Sequence, residues 1–158
     1  MSQENISKNF LELVAIMDRL RAECPWDKKQ TIQSLRSNTI EELYELVDAI
    51  IEEDWQGIKE ELGDLLLQVV LQAQIASEAG DFSLQEVAEG ISQKLIRRHP
   101  HVFADVTIAS IDEVHKNWEM IKAAEKGETV EEQKLSHKLN RYRRSLPPLN
   151  AAMKISEK

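Results

Sequence analysis

The sequence predicts an all-α protein, a bundle of about five helices. Three observations carry this expectation. Glycine and proline are scarce, 5 and 4 in 158 residues, too few to punctuate the many short strands of a β-sandwich or barrel. Apolar residues recur every three or four positions over long stretches, which is the period of a helix. Hydroxyl and acidic residues stand three apart where several of these stretches begin, as in a capping box.

Residues 6 to 22 carry Ile6, Phe10, Leu13, Val14, Met17 and Leu20 on one helical face, and Cys24-Pro25-Trp26 ends that helix. Residues 24 to 37 read as a polar connection whose Trp26 and Leu35 dock onto the body. Thr39-Ile40-Glu41-Glu42 signals a second helix, with Ile40, Leu43, Val47, Ile50 and Ile51 as its stripe. After a break near Trp55-Gln56-Gly57, a third helix is expected from about Ile58 to Glu78. Its apolar residues, among them Leu62, Leu66, Val69 and Val70, wrap nearly all round, the pattern of a buried helix. Ala79-Gly80-Asp81 stops it, and Ser83-Leu84-Gln85-Glu86 opens a fourth helix with Leu84, Val87, Ala88, Ile91 and Leu95 facing inward. Pro100 ends this helix at about Arg98 or His99. Ser110-Ile111-Asp112-Glu113 opens a fifth, with Ile111, Val114, Trp118 and Ile121 on one side, closing near Lys126-Gly127. The expected division is a domain over 1–126 and a polar, then basic, tail or linker over 127–158.

Charge excludes some functions and suggests others. The chain carries 20 Lys+Arg against 28 Asp+Glu, a formal net charge of -8, which argues against binding a nucleic-acid polymer through its phosphates. No apolar stretch approaches the ~20 residues that span a bilayer. A start without the basic and apolar regions of a secretory signal, and a single cysteine, Cys24, point to a reduced, cytoplasmic protein. The acidity is local. Between Glu41 and Asp64 stand ten acids and one base, Lys59, a segment charge of −9.

Within that segment Glu42 and Glu45, and likewise Glu61 and Asp64, are three apart and share a helix face. Two such helices side by side would converge four carboxylates. Asp48, Glu52, Glu53 and Asp54 are read as a solvated face, whereas Glu61 and Asp64 sit among apolar neighbours, where unpaired charge is costly and a cation is expected. All-oxygen clusters suit Mg²⁺, with Mn²⁺ as a substitute. A di-iron bundle requires Glu-x-x-His, and none of His99, His101, His115 and His137 follows a glutamate at that spacing. Lys94, Arg97 and Arg98 close the fourth helix, where cations favour the dipole and equally suit the phosphates of a metal-bound substrate. Trp118 and Lys122, four apart, offer an aromatic face and a further cation, although Trp118 also fits the helix's apolar stripe. His99 and His101 are read as structural hydrogen-bonding residues.

These residues resemble the MazG family of nucleoside triphosphate pyrophosphohydrolases, within the all-α NTP pyrophosphatases. The resemblance covers roughly Leu13 to Lys122 and rests on Cys24-Pro25-Trp26-Asp27, Glu41-Glu42-x-x-Glu45, Glu61-Leu62-Gly63-Asp64-Leu65-Leu66 and Lys94-Leu95-Ile96-Arg97-Arg98-His99-Pro100-His101-Val102-Phe103. It implies a bundle that assembles at least as a dimer and hydrolyses NTPs to NMP and pyrophosphate with Mg²⁺. By position, Glu42, Glu45, Glu61 and Asp64 fall on the family's metal motifs, Lys94 and Arg98 on its phosphate-binding residues, and Trp118 and Lys122 on nucleotide contacts. Arg97 is an adjacent substrate-binding candidate. Glu41, Glu45 and Glu61 are the catalytic candidates, with Glu41 or Glu45 accepting the proton of the attacking water. Many members carry two such domains in tandem, and Arg144 to Lys154 look like the lead into a second. The expected enzyme is broad in base specificity, suited to nucleotide-pool control. The alternatives are a non-catalytic, cation-stabilised helical dimerisation module and an NTP-binding sensor. The nearly all-round apolar third helix separately favours a homo-oligomer.

Overall fold

A computed structural model describes residues 3–108, 110–125 and 127. These form six α-helices and one 3₁₀ turn, and no strand occurs among the described residues: α1 (Gln3–Glu23), the 3₁₀ turn (Asp27–Lys29), α2 (Arg36–Ile51), α3 (Trp55–Ala79), α4 (Leu84–Arg98), α5 (Pro100–Phe103) and α6 (Ile111–Glu125). The expected all-α class is met, with α5 added as a single turn begun by Pro100. The chain divides within α4 into two compact units, 1–90 and 91–158. The expected boundary at 126/127 and the tail beyond lie outside the described residues, Gly127 excepted.

In the first unit α2 and α1 both pack against α3. The core is Met17 of α1, Leu35, and Val70 and Leu71 of α3, with Leu13, Val14, Leu67, Ile75 and Leu84 packed around it. Leu35 is fully buried as expected, but Trp26 remains 55% exposed. The loop that bears Trp26 is instead held through backbone oxygens. Arg21 donates from Nη1 to the carbonyls of Asp27 and Gln30, while its Nε and Nη2 engage the carboxylate of Glu78.

The expected helix starts need two corrections. α2 begins at Arg36, so Thr39 is interior and caps nothing; its hydroxyl donates to the Leu35 carbonyl at 3.0 Å and accepts from Gln72 Nε2 at 2.9 Å. α3 begins at Trp55, because Asp54 Oδ1 accepts from the Gln56 amide at 3.1 Å and caps the helix there. The capping box before α4 forms as expected: Glu86 Oε2 accepts from the Ser83 amide at 2.7 Å, and Ser83 Oγ accepts from the Glu86 amide at 3.2 Å. Ser110 Oγ likewise accepts from the Glu113 amide at 3.3 Å, ahead of α6.

The expected apolar stripes are only partly covered. On α2 the buried residue is Ala49, while Ile40, Leu43, Val47, Ile50 and Ile51 are exposed. On α3, Gln68, Val70, Leu71, Ala73 and Ala76 are buried, but Leu62, Leu66 and Val69 are not, so this helix is covered on one side only. α4 buries no residue, and Val87, Ile91 and Leu95 stay exposed; so does Ile111 at the start of α6. The physical reason is register. α2 turns Thr39, Glu42, Leu46 and Ala49 away from the exposed stripe, and three- and four-residue spacing places that polar-rich row on one line.

Candidate metal centre and anion-binding residues

The α2 and α3 backbones place carboxylates from both helices at one point of the first unit. Glu42, Glu45 and Glu61 each offer an oxygen within 4.8 Å of the others. Glu42 and Glu61 are half-buried and Glu45 is exposed. Glu61 Oε2 is buried and has no hydrogen-bond partner among the described residues. Burial first, and the neighbouring charges of Asp64, Glu45, Glu61 and Glu41 after it, push the Glu42 carboxyl above the usual carboxylate range. Burial again, followed by Glu45, Asp64 and Glu60, raises that of Glu61. Asp64 thus acts on both through its field, without being among the three that meet. Glu41 adds its charge to Glu42 in the same way.

A row of uncharged polar residues continues this line along the helix pair. Gln68 is four residues beyond Asp64 and seven beyond Glu61, hence on the same face, and Thr39 is one turn before Glu42. Thr39 Oγ1 lies 3.4 Å from Gln68 Oε1 and takes the Gln72 bond described above. From sequence, Thr39 is named only as a helix cap and Gln68 is not singled out, although their three- and four-residue offsets from the acids place them on this face.

The cations belong to the second unit and are described by themselves. Arg97 Nε donates to Glu125 Oε1 at 2.7 Å, and Arg98 donates through Nε at 3.3 Å to Oε1 and through Nη2 at 2.6 Å to Oε2. These bonds hold the Glu125 carboxyl down to about 2, Arg98 contributing most. Lys94 is exposed. Lys122 Nζ sits 5.8 Å from the Trp118 ring centroid and 3.0 Å from Glu119 Oε1. Trp118 is 36% exposed rather than core, and the His99 ring lies 6.2 Å from it. The hydrogen-bonding role expected of His99 is met by the Leu95 carbonyl at 2.7 Å. The Nδ1 of His101 is buried and has no hydrogen-bond partner among the described residues. Glu125 is the residue of this region that sequence reading overlooked; it lies three beyond Lys122 and seven beyond Trp118, on their face of α6.

A helix pair that brings carboxylate oxygens alone to one point, one of them buried and without a partner among the described residues, defines an all-α protein suited to a hard divalent cation. The three carboxylates fit such an ion: they supply only oxygen donors, and their mutual repulsion calls for positive charge. Comparison with known proteins narrows the class. Residues 30–103 match the MazG nucleotide pyrophosphohydrolase domain, so this stretch of the chain is similar to that family.

The chain is 48% identical over 150 residues to the nucleoside triphosphate pyrophosphohydrolase/pyrophosphatase MazG of Thermotoga maritima, covering 94% of this chain and 55% of that protein. To the nucleoside triphosphate pyrophosphohydrolase of Escherichia coli K12 it is 47% identical over 150 residues, 92% of this chain and 55% of that one. It also matches YabN of Bacillus subtilis at 50% over 134 residues, which is 85% of this chain and 26% of that protein. The chain therefore spans between about a quarter and about half the length of these curated relatives. A crystal structure of a MazG-related protein from Thermotoga maritima is similar with a TM-score of 0.62 and 29% identity, covering 70% of this chain and 96% of that chain.

Proposed function

We propose that this chain hydrolyses nucleoside triphosphates to the monophosphate and pyrophosphate in a Mg²⁺-dependent reaction, with broad base specificity. The observation that carries this reading is the Glu42, Glu45 and Glu61 cluster, whose buried Glu61 oxygen has no partner among the described residues. Glu42, Glu45, Glu61 and Asp64 are the residues that would hold Mg²⁺, or Mn²⁺ in its place. When bound, the ion neutralises triphosphate oxygens and makes a water nucleophilic at neutral pH.

The chain's own groups do the rest. Glu45, exposed at the edge of the cluster, or Glu41 beside it accepts the proton of the water that attacks the α-phosphorus. The bond from that phosphorus to the bridging oxygen breaks, and the pyrophosphate leaves with the electron pair. Lys94, Arg97 and Arg98 offset the charge that develops on it. Trp118 offers a flat face to the base or ribose, and Lys122 a further phosphate contact. Stacking of this kind accepts any base, which supports broad specificity.

In this reading residues 1–126 are the functional domain, working in the cytoplasm as a homodimer or larger assembly. The family match over 30–103 and the exposed Leu62, Leu66 and Val69 of α3 support it. The test incubates the chain with each NTP and Mg²⁺ and measures pyrophosphate. Turnover abolished by EDTA is the expected result. Calorimetric NTP binding without pyrophosphate release identifies a sensor, and neither binding nor release identifies a structural module; both overturn the reading.

A further inference from the structure

Arg97 and Arg98 are consecutive, so the helix directs them about 100° apart. Both guanidinium groups nevertheless converge on the carboxylate of Glu125, the last residue of α6. They do so unequally. Arg97 spends one donor, Nε, whereas Arg98 spends the whole Nε and Nη2 edge. An arginine carries five N–H donors. Both terminal nitrogens of Arg97 and Nη1 of Arg98 therefore bond to nothing among the described residues. Exposure follows the same division, with the Arg97 side chain 52% accessible and that of Arg98 18%.

We propose that Glu125 is a positioning residue: it locks the two guanidinium groups into one arrangement whose free edge, chiefly the Nη pair of Arg97, receives the oxygens of a polyphosphate. The proposal rests on the pyrophosphohydrolase reading for assigning phosphate to these arginines. Two guanidinium groups left alone repel each other and sample many rotamers, and a phosphate that bound them would have to order both. Glu125 removes most of that cost in advance and cancels one of the two charges, leaving a net +1 for the anion. Both of its oxygens are occupied by arginine N–H groups, so it acts through them without touching phosphate. Arg98 is then both the strut that fixes Glu125 on α6 and, through its free Nη1, a second phosphate contact, while Arg97 presents the wider free edge.

The experiment uses the full chain and two readouts, calorimetric binding of inorganic pyrophosphate and steady-state NTP hydrolysis, on the wild type, Glu125→Gln and Glu125→Asp. Glu125→Gln is expected to weaken pyrophosphate binding and raise KM about tenfold, with kcat changed far less. Glu125→Asp, which keeps the charge on a shorter arm, recovers part of both losses. A contact that serves stability alone would lower the melting temperature of Glu125→Gln and leave the affinity of the folded protein unchanged, which overturns the proposal. Tighter pyrophosphate binding by Glu125→Gln would make Glu125 a competitor of phosphate and overturn it equally. Should Glu125→Gln fail to fold by circular dichroism, Glu125→Asp carries the test, and wild-type affinity in that variant overturns the proposal. A wild type that binds pyrophosphate more tightly than the variants but releases none from NTPs refutes the hydrolase reading while the positioning role stands. A wild type that binds no pyrophosphate refutes the positioning role.

Discussion

At the residue scale, Glu61 concentrates the tension of the site. Its Oε2 is buried without a partner among the described residues, and burial together with Glu45 and Asp64 raises its carboxyl. Replacing the charge with an isosteric amide removes the repulsion but also a ligand. Glu61→Gln is therefore expected to melt higher than the wild type in EDTA at pH 7, yet to lose NTP hydrolysis by more than about a hundredfold. Melting curves and the pyrophosphate assay on one preparation check both. A different residue carries local backbone strain. Glu53 stands at φ 56, where the Asp54 amide donates to the Ala49 carbonyl at 3.0 Å and the Glu53 amide to Ile50 at 3.3 Å. This is the helix-ending turn that favours glycine, and after α3 the equivalent position is indeed Gly80, at φ 77. Glu53→Gly should stabilise the protein by about 0.5–1 kcal/mol, read as a rise in the chemical-denaturation midpoint.

At the element scale, two sets of carboxyls give the metal-free chain opposite pH slopes. Glu42 and Glu61, on α2 and α3, are raised above their ordinary value. Their contribution to stability is fully present below the ordinary carboxylate pKa and is lost as pH rises through the raised one. Glu125, which ties α6 to the end of α4, is lowered to about 2, and Glu78, tied to Arg21 of α1, is lowered as well. Their contribution is present above the ordinary value of 4.5 and is lost as pH falls towards the lowered ones. In EDTA the melting temperature should accordingly peak near the ordinary carboxylate pKa and fall on either side. Added Mg²⁺ should flatten the alkaline limb and leave the acid limb unchanged, because the Arg21 and Glu125 ion pairs owe nothing to the cation. A flat profile in EDTA between pH 5 and 8 would refute the repulsion between α2 and α3.

At the scale of the whole molecule, the exposed apolar residues carry the prediction. Ile40, Leu43, Val47 and Ile50 of α2, and Leu62, Leu66 and Val69 of α3, are too many large side chains for single scattered exposures. Two copies covering these rows would remove them from water, and light scattering should give at least a dimer mass. Val47→Asp and Leu66→Asp, each placing a charge in such a row, should shift the mass towards the monomer. A monomeric wild type would refute the shared interface.

Much of this protein is written in short-range order. The all-α class, the stop at Gly80, the capping box at Ser83 and the end of α4 at Arg98 follow from local chemistry that each segment carries by itself. So does the pairing of Glu42 with Glu45 and of Glu61 with Asp64, because a three-residue spacing is enough to put two carboxylates on one helix face. The start of α2 differs from the sequence expectation because Thr39 can bond to the carbonyl four residues back as readily as it can cap, and only its fit against Gln72 decides. The same holds for burial. Periodicity shows that α2 has an apolar stripe, but the packing of α2 on α3 turns Glu42 and Ala49 out of that stripe's row and leaves Leu43 and Val47 to solvent. The capture of Arg97 and Arg98 by Glu125 joins residues 27 and 28 positions apart. No local rule reaches across that distance. The sequence determined which helices form and which charges each of them carries; only the tertiary structure decided which of those charges meet, because that depends on how the helices pack rather than on how they are spelled.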